Sequence, residues 1–191
     1  MTKFQNKYRV ESTRLPGWDY GSPGLYFITI CTKNMVEWFG EIIDGKMKLN
    51  SIGSILGEEW EKTPQIREYV TLYEWVVMPN HFHAILGIND NVRTSEIRVE
   101  THCDVSLRKN RFGPQTNNLA SIIRGIKGAC TKRIRKTINP NFAWQARFWD
   151  HIIRNEKSFE RITEYILMNP KNWDRDKNNR RFNMDSVWNL Y

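Results

Sequence analysis

His81 and His83 stand two positions apart in Trp75-Val76-Val77-Met78-Pro79-Asn80-His81-Phe82-His83-Ala84-Ile85-Leu86, a stretch of strand-forming residues. Side chains on a strand alternate between faces, so the two imidazoles project together and Phe82 projects the opposite way. Neutral imidazole is a common ligand for a divalent metal. Two of them on one rigid strand begin a metal site that a third group from elsewhere would complete. The other reading is a pair of partly buried structural histidines. The chain has four histidines, and two of them lie in its most hydrophobic segment. Polar groups there are costly unless paired or ligated, which adds weight to ligation and leaves both readings open.

A second pair lies in Phe159-Glu160-Arg161-Ile162-Thr163-Glu164-Tyr165-Ile166-Leu167-Met168-Asn169-Pro170. Phe159, Ile162 and Ile166 recur at helical spacing. Tyr165 and Asn169 then share one flank of that stripe, one turn and about 40° apart. A tyrosine so placed can be a packing residue or a nucleophile, and an Asn before Pro can simply end the helix. A phenol with a pKa of about 10 is a poor nucleophile at neutral pH unless its ionised form is favoured.

The net charge is +8, which suggests a polyanionic partner. From Leu107 to Ile138 the chain carries Arg108, Lys109, Arg111, Arg124, Lys127, Lys132, Arg133, Arg135 and Lys136 and no Asp or Glu. Solvated helix faces usually mix signs, so this block reads as a phosphate-binding surface. Cys31, Cys103 and Cys130 are odd in number and widely spaced, which argues against a disulfide scaffold and fits a reducing cytoplasm. Met1 to Leu15 is polar and charged, unlike a secretory signal. No apolar run reaches the roughly 18 residues of a membrane span.

The elements that must position these groups follow from periodicity. Residues 1–24 read as an extended arm with turns at Pro16-Gly17 and Ser22-Pro23-Gly24. Leu25 to Thr32 is a central strand, and Lys46 to Leu49 a short partner strand. Asn50 or Ser51 caps a helix to about Lys62. Tyr69 to Met78 and His81 to Ile88 are strands joined at Pro79-Asn80. Residues 89–117 lack periodicity and read as a mobile insertion. A helix runs from about Asn118 to Lys136, an extended segment from Trp144 to Ile153, and a final helix from a Ser158 cap to Met168. Residues 171–191 form a basic, aromatic tail. The order predicts one α+β domain over 1–191. Its ferredoxin-like antiparallel sheet carries two helices on one face, and the extra C-terminal helix bearing Tyr165 could cover the other.

Four segments in series resemble the REP-associated tyrosine transposases, single-tyrosine HUH enzymes of the IS200/IS605 kind. They are Arg14-Leu15-Pro16-Gly17-Trp18-Asp19-Tyr20 leading to Tyr26-Phe27-Ile28-Thr29; Met78-Pro79-Asn80-His81-Phe82-His83; Phe148-Trp149-Asp150-His151-Ile152-Ile153-Arg154; and Tyr165-Ile166 with Asn169-Pro170. The likeness covers nearly all of residues 8–173. It implies a single-stranded DNA endonuclease and strand transferase acting at a hairpin or palindromic repeat. Tyr165 would be the nucleophile, and His81, His83 and Asn169 the metal ligands. The segment holding Asp150 and His151 would orient the site from behind; a structural role for His151 fits equally. His102 lies in the insertion.

Such a ligand set with an open position suits Mg²⁺ or Mn²⁺. Arg108, Lys109, Arg111, Arg124, Lys127, Lys132 and Arg133 would contact phosphates, and exposed aromatics among Trp18, Tyr20, Trp144, Trp149 and Trp173 would stack on bases. Such an enzyme would work near the nucleoid of a prokaryote. Relatives occur as monomers and as dimers, and exchange of two strands by one tyrosine per chain would suit a homodimer. A competing reading is a domesticated DNA-binding protein or repressor that no longer cleaves, against which stand the intact His81, His83, Tyr165 and Asn169. A small-molecule metallohydrolase leaves the basic block unexplained.

Overall fold

The computed structural model describes residues 14–90 and 116–179, with the backbone of 3–4 and 7–8. Arg108, Lys109, Arg111 and His102, and most of the expected insertion, lie outside the described residues. The elements run β1 Lys3–Phe4, β2 Lys7–Tyr8, β3 Gly24–Cys31, β4 Gly40–Ile43, β5 Lys46–Leu49, α1 Ser51–Glu61, α2 Thr63–Ile66, β6 Val70–Val77, β7 His81–Ile88, α3 Leu119–Thr137, β8 Trp149–Ile153 and α4 Glu156–Met168. Short 3-10 helices span Lys33–Met35 and Pro170–Arg175.

The main sheet has the order β6-β7-β3-β8, and every neighbouring pair is antiparallel. This is the expected ferredoxin-like arrangement. The crossovers through α1 and α3 set both helices on one face. There Tyr26, Ile28, Ile30, Phe82, Ala84 and Leu86 pack with Ile52, Leu56 and Trp60 of α1 and with Ile122, Ile126 and Ile134 of α3. On the other face Phe27, Ile85 and Ile153 meet Ile162 and Ile166 of α4. β7 is therefore buried on both faces along its whole length. Its continuous apolar run is what a doubly covered strand requires.

Three local expectations change. Lys46–Leu49 pairs with Gly40–Ile43 in a separate hairpin instead of joining the main sheet. The cause is local: Asp44 and Gly45 both take positive φ (50° and 68°), the turn that an Asp-Gly pair favours between two strands. The cap of α4 is Asn155, whose side chain accepts the Ser158 N–H at 2.8 Å; Ser158 already lies in the first turn. The chain does not run free after Asn169-Pro170. Asn169 stays in helical conformation and Pro170 opens a 3-10 turn, where its missing N–H costs nothing. That turn buries Trp173, and Asp176 and Asn179 are buried beyond it.

Candidate active site

The turn before β7 fixes the first histidine. Asn80 is fully buried; its backbone carbonyl accepts from the Thr32 N–H (2.9 Å) and hydroxyl (3.0 Å). Its Nδ2 donates to the carbonyls of Met35 (3.2 Å) and Asn178 (2.9 Å), which leaves Oδ1 to accept from His81 Nδ1 at 2.8 Å. An amide oxygen cannot donate, so His81 carries its proton on Nδ1 and presents the Nε2 lone pair to the site. That Nε2 is buried without a hydrogen-bond partner, 3.9 Å from Asp176 Oδ2. His83 is held the same way: Nδ1 meets Thr29 Oγ1 at 2.8 Å and Nε2 faces the Tyr165 hydroxyl at 3.2 Å. Anchoring each ring through Nδ1 is how metal-binding histidines are usually oriented.

Burial pushes the His81 pKa down to about 3, with Lys177 adding to the shift and the nearby Asn169 carboxamide opposing it. His83 is pushed well below its ordinary value, first by burial and then by His81. Both rings are thus neutral at physiological pH, the form that ligates. Asp176 completes a cluster in which one ligand atom from each of His81, His83 and Asp176 lies within 4.8 Å of the others. Donors about 2.0–2.5 Å from a cation sit at roughly such mutual distances. The other Asp176 oxygen accepts the Asn178 N–H at 2.6 Å, which steadies the carboxylate. The buried Asn169 Oδ1 also has no hydrogen-bond partner. Two neutral imidazoles, a carboxylate and an orphaned carboxamide oxygen fit a divalent cation.

Tyr165 is 41 % exposed and reaches this cluster from α4. Its ring meets Phe27 edge-on (6.1 Å) and lies 5.3 Å from the His83 ring. Burial raises its pKa and the Asp176 charge raises it further, while Asn169 acts the other way. Unaided, the phenol stays protonated. The histidine–tyrosine group opens into a cleft of about 730 Å³ whose lining includes Arg147, Trp149, Arg175 and Lys177.

No family model matches the chain. It is 38 % identical to a Haemophilus influenzae protein of no assigned function over 87 % of this chain and 91 % of that one. It is 26 % identical to a second protein of that organism, provisionally named a REP-associated tyrosine transposase, over 80 % of this chain and 73 % of the relative. Among solved structures, a REP-associated tyrosine transposase bound to a REP hairpin shares the fold, with a TM-score of 0.52, 22 % identity, and coverage of 90 % of this chain and 76 % of that one. The chain resembles the REP-associated tyrosine transposases in sequence and in fold.

The structure brings His81, His83, Tyr165 and Asn169 together. Asp176 and the positioning residues Thr29 and Asn80 were not anticipated. Asp150 does not join them. It pairs in register with Ile28 and so faces the α1/α3 side, where Arg14 approaches it at 3.9 Å. His151 lies on the site face but is exposed beside Trp149.

The basic residues of α3 lie across the sheet from the histidines. Arg124 and Lys132 are exposed there. Arg133 instead binds Glu58 and Glu59 of α1. Lys127 donates to the carbonyls of Gln145 (2.6 Å) and Arg147 (2.7 Å), holding the loop that enters the cleft. Among the described residues no helix is long and apolar enough to cross a membrane.

Proposed function

We propose that this chain is a metal-dependent single-stranded DNA endonuclease and strand transferase acting at a hairpin-flanked site through a 5′-phosphotyrosine bond. The observation that carries this reading is the meeting of Tyr165 and His83 Nε2 at 3.2 Å beside the His81/His83/Asp176 cluster, from elements far apart in sequence. His81, His83 and either Asn169 or Asp176 would hold Mg²⁺ or Mn²⁺. Such a cation supplies positive charge that favours the phenolate and offsets charge developing on the phosphate.

The chain's own groups do the rest. Tyr165 Oη attacks phosphorus, the P–O3′ bond breaks, the phenol proton is lost and the freed 3′ oxygen gains one. One phosphoester replaces another, so the bond energy is conserved and a different 3′-hydroxyl can reverse the step. Asn169, favouring the ionised Tyr165, counters the burial that opposes it. The cationic lining of the cleft suits a phosphodiester backbone.

The test is incubation with a single-stranded hairpin oligonucleotide labelled at its 3′ end, with Mn²⁺, followed by a denaturing gel. Wild type should shift the label into a covalent complex that a chelator prevents. Tyr165→Phe should bind the DNA and form none; an adduct with that variant would overturn the assignment. A wild type that binds DNA without ever forming an adduct would favour the non-cleaving repressor.

A further inference from the structure

We propose that Trp149 and His151 form a stacking platform for an unpaired base of the strand being processed, which deepens the reading above and rests on it. Trp149, His151 and Ile153 share the site face of β8 through the strand's alternation. Their surroundings differ. Ile153 is buried with Ile162 and Ile166 of α4. Trp149 and His151, nearer the other end of the strand, are exposed, and the indole keeps 48 % of its surface. The two rings lie 6.2 Å apart and within 6° of parallel. The indole lines the cleft, and the imidazole stands parallel beside it on the same strand.

That surface is built and located. Phe27, itself buried, meets Trp149 edge-on at 5.6 Å on one side and Tyr165 edge-on at 6.1 Å on the other. The platform is therefore one ring removed from the nucleophile, the reach of a base belonging to a nucleotide beside the attacked phosphate. Arg147 and Arg175 line the same cleft and suit the phosphates between such bases. Flat exposed rings next to cationic side chains are the chemistry of single-strand binding, where stacking tolerates any base. An apolar ligand would leave the cationic lining unused, and a duplex would offer no free base face. His151 thus acts on substrate position and not on the histidine ligands.

The experiment measures binding of full-length protein, in chelator so that no cleavage occurs, by fluorescence anisotropy. One probe is a hairpin with a single-stranded flank; the other has abasic residues throughout that flank. Wild type should prefer the intact flank by roughly tenfold. Trp149→Ala should abolish the preference, Trp149→Phe should keep most of it, and His151→Ala, at an exposed ring, should reduce it. Equal binding of the two probes by wild type, or undiminished preference in both alanine variants, would overturn the platform. The readout does not depend on the covalent adduct, so failure of the nuclease reading is separately visible.

Discussion

At the scale of single residues, the site is a set of buried groups held in one protonation state. His81 and His83 fold neutral because burial disfavours their charged forms. Below a pH of about 6.5 the unfolded chain takes up protons that the folded chain refuses. Stability from these residues is therefore complete above pH 6.5 and is lost as pH falls towards 3. Urea midpoints measured at pH 7.5, 5.5 and 4.5 should decline, and the double variant His81→Asn/His83→Gln should decline less steeply. Equal slopes would show that other groups govern acid sensitivity. Strand alternation set His81 and His83 on one side and helical spacing set Tyr165 and Asn169 on one flank, while their joining into one site was implied only by the resemblance to the family. Asp176 was not readable from sequence. It reaches His81 only because a 3-10 turn folds the following chain back, a contact that no spacing rule encodes. Asn80 looked like a turn former, and its burial between Met35 and Asn178 emerges only from the fold.

At the scale of elements, α4 brings the tyrosine to the histidine pair. Its stripe of Ile162 and Ile166 seats on Phe27 and Ile85, and this seating brings Tyr165 over His83. The Asn155 cap satisfies a first-turn N–H. Asn155→Ala should cost about 1 kcal/mol in a urea titration. On the proposed function it should also slow adduct formation on bound DNA, since a fraying α4 holds Tyr165 less firmly. An unchanged rate would mean that packing alone fixes the helix. The strands and helices of the main layer were legible because long periodic segments carry their own signal. The β4–β5 hairpin was less legible although Asp44-Gly45 marks its turn, because the alternation of Lys46-Met47-Lys48-Leu49 indicates a strand without naming its partner.

At the scale of the molecule, the sheet separates tasks. One face, under α1 and α3, holds the larger core; the other holds the candidate site. The exposed cations of α3 therefore lie behind the sheet, and only DNA long enough to pass around an edge could touch both surfaces. Lys132→Ala should weaken binding of a long hairpin and lower the dependence of log affinity on log salt by about one. Adduct formation on a short flank should be unaffected. Loss of activity on the short substrate would place Lys132 nearer the reaction than the fold puts it.

The alternation of His81, Phe82 and His83 also bears on how the chain assembles. If β7 zipped against β3 one residue out of frame, both imidazoles would enter the greasy side and Phe82 would stand in the cleft. Ion capture by the correctly aligned pair would then act as a checksum on strand alignment. In a refolding experiment, the appearance of a Co²⁺ absorption band would time the moment when the central strands reach their native frame.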